Sequence, residues 1–401
     1  MLDDDHNEVM PNSGGAGAER RGGFSRRSFL RGLGAVTAAT AVVSHVGVAH
    51  AGNGWTIGLD GVAPEKLKDM YTLMLKSRWW EEGMKEVFLG GKDGMYGAFH
   101  ISVGEEASAV GVMAALNEDD YIASNHRGHA HLIAKGGDLN KMSAELMFKE
   151  TGYNKGFGGS MHITDATKGI LGMNGIIGPQ YLFAAGAAYS AKVRGTEQVA
   201  VAFGGDGSVN NGWYYSGLRN AALYKLPMIA VIENNGYQIS SPQHHTNSLI
   251  NLHEFGSGLN IAHEAVNGMD VMAVYAVAKR AVERARAGEG PTLIETKTYR
   301  YYDHAGLSGA KPGQLGAFGL PYRSDAEVNA WIAEDPIPKL RRQMVMNSMM
   351  TEDEADAIEA EVKQLVADSI EFARQSPLPK QDAALQHVFA GATVAPTQFI
   401  A

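Results

Sequence analysis

Short apolar runs alternate with helical patterns along this chain, and that alternation limits the possible folds more than any other feature. Residues 199–203 and 228–232 are uninterrupted apolar runs, and Tyr121–Ala123 and 292–298 are further predicted strands. Apolar runs of this length between helices are typical of strands that are buried on both faces of a parallel sheet. The sequence therefore predicts an α/β fold with an open, mainly parallel sheet flanked by helices.

Helical patterns fill the segments around these strands. The predicted helices cover Pro64–Gly90, 181–194, 213–224 and 271–287. Near the C-terminus, Thr351 and Glu354 have the spacing of a capping box, which predicts the start of another helix. The apolar residues predicted to form its buried face are Ile358, Val362, Leu365 and Phe372.

Composition argues against several classes of function. The 401-residue chain contains 35 Lys and Arg against 44 Asp and Glu, a formal net charge of −9. A nucleic-acid-binding role is disfavoured, because binding to phosphates needs a cationic surface. The sequence contains no cysteine, which removes disulfides, thiolate metal sites and cysteine nucleophiles.

Residues 1–51 are predicted to be a signal peptide. Arg26 and Arg27 precede an uncharged stretch, 33–51, which is rich in Ala, Gly and Val and ends in a small-x-small cleavage pattern. This order is that of an export signal, and the adjacent arginines resemble the twin-arginine type. We expect residues 52–401 to reach the periplasm, with the membrane involved only in export. An uncleaved membrane anchor is the alternative.

Polar residues follow two consecutive predicted strands at the point where each strand ends. Asp206 comes soon after the first strand and Asn235 soon after the second, with one predicted helix between them. Ligands of open parallel sheets bind outside the carboxyl ends of the strands, so we expect these side chains to lie close together. A carboxylate, an amide carbonyl and a nearby backbone carbonyl are hard oxygen ligands that suit Mg²⁺. Gly205 and Gly207 allow backbone N–H groups to approach a diphosphate.

The segment around Asp206 is one of several that resemble a single family between about residues 64 and 377. The other matching segments are His100-x-x-x-Gly104-x-Glu106-Ala107, His126-Arg127-Gly128-His129, Gly158-Gly159-Ser160-Met161-His162, Asn174-Gly175-Ile176-Ile177-Gly178 and Asp303-His304. The series resembles the alpha subunit of the thiamine-diphosphate-dependent decarboxylating component of 2-oxo acid dehydrogenases, acetoin dehydrogenases included. The resemblance implies the thiamine-diphosphate-binding fold for one domain, residues 52–401.

Two cofactors, thiamine diphosphate and Mg²⁺, are implied by this resemblance. Asp206, Asn235 and the carbonyl of Tyr237 would hold the metal ion, and Arg127 would pair with the diphosphate as a bidentate guanidinium. The backbone of the 174–178 segment would meet the aminopyrimidine ring. The other residues implied in cofactor binding are His100, His126, Gly175, Ile177, Gly205 and Gly207.

Two histidines are the catalytic candidates by the same resemblance. His129 and His304 would stabilise charge at the reacting centre and guide the substrate or the acyl acceptor, as a side chain that titrates near neutrality can. The chain departs from the family at Ser216, where an acidic residue is usual, and at Pro179, where a small residue is usual.

The reaction implied is cleavage of acetoin, or decarboxylation of a pyruvate-like 2-oxo acid, with oxidation of the product to an acyl group. The form of segment 126–129 favours acetoin, and the acyl or electron acceptor stays open. In this family a beta subunit supplies the glutamate that activates thiamine diphosphate, so a beta partner in an α₂β₂ assembly is implied. The alternative is an exported thiamine-diphosphate-binding protein without turnover.

Overall fold

The computed structural model describes residues 59, 61–91, 93, 95, 97–306, 320–380 and 382–383. The predicted signal peptide lies outside the described residues. The helices are α1 (Pro64–Gly90), α2 (Glu106–Met113), α3 (His129–Ala134), α4 (Leu139–Leu146), α5 (Pro179–Arg194), α6 (Gly212–Leu223), α7 (Gln243–Thr246), α8 (Val271–Arg286), α9 (Asp325–Ile332), α10 (Pro336–Met346) and α11 (Glu352–Gln375). Within these described ranges, no helix combines the length and the apolar character needed to cross a membrane.

Five strands form the main sheet, and every pairing between them is parallel. The described strands, including two outside the main sheet, are β1 (Tyr121–Ala123), β2 (Ala200–Gly205), β3 (Met228–Asn234), β4 (Tyr237–Gln238), β5 (Ser241–Pro242), β6 (Ala262–Asn267) and β7 (Thr292–Lys297). The order across the main sheet is β1-β2-β3-β7-β6. A separate antiparallel pair joins β4 to β5. The predicted α/β fold with a mainly parallel sheet is confirmed.

Helices cover both faces of the central strands. Val201 and Phe203 of β2 belong to one apolar cluster, which includes residues of α1, α8 and α11. Ala200 and Ala202 alternate with them and belong to a second cluster, with residues of α5 and α6. Because side chains point to opposite faces in turn along a strand, a strand covered on both faces must be apolar throughout. The uninterrupted apolar run at 199–203 has this origin.

Pro179 begins a helix. α5 starts at Pro179, two residues earlier than predicted, and Gly178 precedes it with φ 115°. Proline is favoured at the first helical position, where its missing N–H is not needed and its φ is already helical. Gly178 can adopt the positive φ that this helix start requires, because it has no Cβ. Pro179, which replaces the small residue usual in the family, therefore fixes the end of the glycine-rich 156–178 loop.

The helix predicted after Thr351 forms, and its buried face matches the predicted one in part: Val362 is buried and Ile358 is half-buried. The capping box is present: Glu354 N–H donates to Thr351 Oγ1 and Thr351 N–H donates to Glu354 Oε2. Leu365 and Phe372, which we expected inside, are 40% and 39% exposed. The side chains that α11 buries are Ala355, Val362, Val366, Ser369, Ile370 and Ala373. The small side chains among them allow α11 to pack closely against α1 and α4.

Candidate active site

Asp206 and Asn235 lie at the carboxyl edge of two paired strands. β2 and β3 are parallel neighbours, and Gly205 is in register with Glu233. Asp206 opens a short 3₁₀ turn directly after β2, and Asn235 is the first residue after β3. Both are buried. The predicted adjacency of the two strand ends is confirmed.

The Asp206 carboxylate is poorly satisfied in its surroundings. Its Oδ2 atom is buried and has no hydrogen-bond partner among the described residues. Burial raises the pKa of Asp206 to about 6, against the attraction of Arg300 and backbone N–H groups. A buried carboxylate oxygen without a partner costs free energy unless a cation or a donor meets it. Asp206 therefore has the environment expected of a metal ligand.

Glu105 fixes the amide of Asn235. Asn235 Nδ2 donates to Glu105 Oε1 at 3.2 Å, and Asn235 Oδ1 accepts from the Tyr237 N–H at 3.3 Å. Thr298 Oγ1 also donates to Glu105 Oε1, at 2.8 Å. The donor side of the amide is thus turned toward the carboxylate, so its oxygen can face a cation. Sequence reasoning missed Glu105, although it lies between Gly104 and Glu106 in the segment that starts at His100.

Contacts of Tyr237, Gly205 and Gly207 position the backbone at the carboxyl edge of β2 and β3. The Tyr237 hydroxyl donates to Glu327 Oε1 at 2.7 Å, which anchors the side chain. The Gly205 carbonyl accepts from Ser208 Oγ at 2.6 Å. A Cβ built on Gly207 would lie 2.8 Å from Cγ of Gln238, so a side chain there would force the Gln238 side chain to shift.

Arg127 is buried, and backbone carbonyls hold its guanidinium. Nη1 donates to the Ile101 carbonyl, and Nη2 donates to the His304 carbonyl at 2.9 Å. Nε lies 3.9 Å from Glu105 Oε2. Burial lowers the pKa of Arg127 from its ordinary value, yet the group stays cationic. Arg127 is therefore a buried cation, held in place beside the strand edge that carries Asp206 and Asn235.

His100, His126 and His304 form a cluster, the three-histidine cluster. Ring centroids are 4.6 Å apart for His100 and His126, 4.8 Å for His100 and His304, and 5.2 Å for His126 and His304. Burial, followed by the charge of Arg127, lowers all three pKa values, to about 3 for His100 and about 4 for His304. All three rings are therefore neutral at neutral pH.

His129 lies outside this cluster and is completely buried. Its Nδ1 is 3.0 Å from Glu81 Oε1, and its Nε2 is 3.0 Å from Ser160 Oγ. Trp80 and Phe99 pack against its ring. Sequence reasoning missed Glu81, and it matched Ser160 to a family segment without giving it a role. His129 thus joins α1 to the glycine-rich loop through two hydrogen bonds.

The 174–178 loop is tied to the start of α6. Asn211, the N-cap of α6, donates from Nδ2 to the Ile177 carbonyl at 2.8 Å. A Cβ built on Gly175 would lie 3.1 Å from Cε1 of His162, so the loop passes close to that ring. Ser216, which replaces the usual acidic residue, is exposed on α6. The loop is therefore positioned by residues outside it.

Comparison with known proteins identifies the family. A model of the family described as "Dehydrogenase E1 component" matches residues 73–382, and a model of the twin-arginine translocation signal matches residues 23–43. The chain is 40% identical to the acetoin:2,6-dichlorophenolindophenol oxidoreductase alpha subunit of Bacillus subtilis, over 81% of this chain and 94% of that one. It is 39% identical to the pyruvate dehydrogenase E1 alpha subunit of Porphyra purpurea, over 81% and 93% of the two chains.

A second acetoin enzyme is similar to nearly the same extent. The acetoin:2,6-dichlorophenolindophenol oxidoreductase alpha subunit of Cupriavidus necator is 36% identical, over 81% of this chain and 94% of that protein. The name alpha subunit implies a beta partner. The twin-arginine prediction is confirmed by the match to residues 23–43. The chain therefore belongs to the dehydrogenase E1 component family, as the alpha subunit of a thiamine-diphosphate-dependent dehydrogenase.

Proposed function

We propose that Asp206, Asn235 and the Tyr237 carbonyl hold Mg²⁺, and that thiamine diphosphate binds through this ion. The donor set fits, because a carboxylate, an amide oxygen and a carbonyl are the oxygen ligands that Mg²⁺ takes together with phosphates. Two observations support the fit: the buried Asp206 Oδ2 has no partner among the described residues, and Glu105 orients the Asn235 amide.

The other residues of the cofactor site follow from the same placement. Arg127 would pair with the diphosphate, and His100 and His126 would line the space beside it. The backbone of Gly205 and Gly207 at the strand edge would meet the phosphates, and the backbone of Gly175 and Ile177 would meet the aminopyrimidine ring. When bound, thiamine diphosphate supplies the electron sink for cleavage of a carbon–carbon bond next to a carbonyl. The remaining groups bind, orient and hold protons.

His304 and His129 are the proposed catalytic residues. An arginine N–H can only donate, so Nδ1 of His304 accepts from Arg127 Nη2 at 3.3 Å. The neutral ring of His304 then carries its proton on Nε2, where it can donate to a developing oxygen charge. His129 is enclosed, so it would act on a reactant through Ser160, whose Oγ its Nε2 contacts.

Acetoin is the substrate that the described residues favour. A cation beside the reacting centre would favour binding of the carboxylate of a 2-oxo acid, but the three-histidine cluster is neutral. Arg127 is assigned to the diphosphate, and Arg300 donates to the carbonyls of Tyr302 and Ile239. An uncharged hydroxy ketone needs only hydrogen-bond donors, which neutral imidazoles supply. The neutrality of the three-histidine cluster therefore carries this proposal.

Turnover by the assembled enzyme tests the function. The alpha chain, co-expressed with its beta subunit, should reduce an artificial electron acceptor with acetoin and should do so with higher kcat/KM than with pyruvate. The alpha chain alone should be inactive with both, because the glutamate that activates the cofactor is expected on the beta subunit. Faster turnover of pyruvate would assign the 2-oxo acid reaction. Cofactor binding without any turnover would favour the exported binding protein.

Assembly and location complete the proposal. We propose an α₂β₂ assembly. In it, Ser216, which is exposed on α6, takes the place of the acidic residue that is usual in the family. Residues 1–51 are proposed to be removed, leaving 52–401 as the mature domain in the periplasm. Because the twin-arginine route carries folded proteins, the cofactor can be loaded before export.

A further inference from the structure

We infer that the three-histidine cluster binds one divalent transition-metal ion, such as Zn²⁺, in competition with thiamine diphosphate. His100, His126 and His304 each offer a ring nitrogen, and these nitrogens lie within 4.8 Å of one another. Ligands of a tetrahedral Zn²⁺ at 2.0–2.1 Å are about 3.4 Å apart. The three rings would have to rotate about their side-chain bonds to close that gap.

Unpartnered nitrogens single this cluster out. Nδ1 of His100 and both ring nitrogens of His126 are buried without a hydrogen-bond partner in the described part of the chain. Such groups are rare in folded proteins, and an unplaced water or ion is a usual explanation. Imidazole is a preferred ligand of Zn²⁺, Cu²⁺ and Ni²⁺, whereas Mg²⁺ prefers oxygen. The cluster therefore discriminates chemically between a transition metal and the magnesium ion proposed at Asp206.

Charged groups near the three-histidine cluster affect cation binding in both directions. The guanidinium of Arg127 lies 3.3 Å from Nδ1 of His304 and repels a cation. Glu105 lies 3.9 Å from Arg127 and offsets part of that charge, and Asp303 acts electrostatically on both His100 and His304 in the direction that favours a cation. The rings of His100 and His126 are neutral at neutral pH, so neither has to lose a proton before the metal binds.

Competition follows from the position of the cluster and rests on the proposed function. His100, His126 and Arg127 are the side chains that we place beside the diphosphate. An ion held by the three rings would occupy that space and would add positive charge next to Arg127. A chain that loads its cofactor before export would be protected from metal ions in the periplasm, whereas an empty chain would not.

Metal titration of the untagged, cofactor-free full chain tests the site. Zn²⁺ should bind in a calorimetric titration with one ion per chain, and Co²⁺ should give the intense visible absorption of a four-coordinate site. His126→Phe should weaken Zn²⁺ binding at least about 100-fold, since even losses outside the ligand set cost 10–100-fold. Among the described residues neither nitrogen of His126 has a partner, so this variant breaks no hydrogen bond there.

The control removes the exposed histidine pair on α7. His244 and His245 are adjacent and exposed, with ring centroids 4.3 Å apart, the kind of pair that binds metals weakly on a surface. His244→Ala/His245→Ala should keep Zn²⁺ affinity and the Co²⁺ spectrum. Loss of binding in this control, or unchanged binding in folded His126→Phe, would overturn the proposed site.

The last arm separates competition from the cofactor assignment. In the αβ complex, where cofactor binding is measured, thiamine diphosphate with Mg²⁺ should lower the apparent Zn²⁺ affinity in proportion to its concentration. If the cofactor binds and leaves Zn²⁺ affinity unchanged, competition is wrong. If the cofactor does not bind while Zn²⁺ does, the proposed cofactor site fails and the metal site stands.

Discussion

At the scale of single residues, the candidate site combines groups that are unfavourable for folding alone. Burial raises the pKa of Asp206 to about 6 and that of Glu105 to about 7. Each carboxylate has one buried oxygen without a hydrogen-bond partner among the described residues. Such groups persist where a ligand compensates them, and perturbed carboxylates cluster at functional sites for this reason.

Replacing Asp206 with Ala should weaken cofactor binding. The variant removes the one anionic ligand proposed for Mg²⁺ and leaves Asn235, a carbonyl and the phosphates. Losses outside the ligand set already cost 10–100-fold in metal affinity, so thiamine diphosphate affinity should fall by at least about that factor. Calorimetric titration into the αβ complex, with and without Mg²⁺, measures this. Asp368→Ala, on the exposed side of α11, is the control and should bind normally; equal affinity in both variants would remove the metal assignment.

Asp206→Asn should stabilise the cofactor-free chain at neutral pH. The ordinary aspartate pKa is 3.8 and the folded-state pKa is about 6, so between these values the unfolded chain loses its proton first. The folded wild type therefore loses stability as the pH rises from about 4 to 6, and the neutral amide avoids this loss, on the order of 1–3 kcal/mol. Thermal unfolding in EDTA at pH 4.5 and pH 7.5 measures the effect. A variant that is less stable than wild type at pH 7.5 would contradict it.

At the scale of elements, close helix contacts decide which glycines are required. A Cβ built on Gly111 of α2 would lie 2.7 Å from Cβ of Val274 on α8, and 2.9 Å from the Val271 carbonyl. A Cβ built on Gly186, in the interior of α5, meets no described atom within 4 Å. Both residues are helical glycines, so the same substitution at the two positions isolates packing from helix propensity.

Gly111→Ala should destabilise the chain, and Gly186→Ala should not. Forcing a methyl between α2 and α8 typically costs 1–3 kcal/mol, which outweighs the gain in helix propensity. Gly186→Ala has only that gain, up to about 1 kcal/mol. Denaturant unfolding of both variants gives the two free energies. Stabilisation by both substitutions would show that the α2–α8 contact is looser than described.

Buried elements are easier to predict from this sequence than exposed ones. β2 and β3 are predictable because they are apolar on both faces, but β6 is an edge strand in which only Val266 is buried. Site residues that follow buried strands, such as Asp206 and Asn235, are predictable in the same way, because the end of each strand gives their position. The enclosure of His129 is not predictable, because Glu81 and Ser160 are 48 and 31 positions away and meet it only through packing.

At the scale of the whole molecule, the chain joins an export signal to a domain whose relatives are enzyme subunits. The twin-arginine model covers residues 23–43 and the dehydrogenase model covers residues 73–382, so the two matches do not overlap. Each part can therefore be changed without altering the residues of the other. Substitutions confined to the signal segment therefore test the export route.

Arg26→Lys/Arg27→Lys should keep the protein in the cytoplasm at precursor mass. The twin-arginine route recognises the pair itself, so lysines that preserve the charge should still block export. Fractionation and mass measurement of the variant and the wild type give the result, and a wild-type protein starting at residue 52 would confirm the proposed cleavage.

A second arginine pair supplies the control for this experiment. Arg20 and Arg21 are also adjacent, but they lie outside the segment matched by the signal model. Arg20→Lys/Arg21→Lys should therefore be exported and processed like the wild type. Export of the Arg26→Lys/Arg27→Lys variant at the wild-type level would contradict the twin-arginine route.

The parallel sheet has a consequence for the timing of export. Tyr121 pairs with Ala200 and Ile229 pairs with Thr292, so the sheet closes only when distant parts of the chain meet. Proteins dominated by such non-local contacts fold slowly, because loop-closure entropy is lost before the contacts form. A route that accepts only folded protein must wait for this step. We therefore expect the interval between synthesis and appearance outside the cytoplasm to follow the folding rate of the sheet, and slower folding variants to lengthen it.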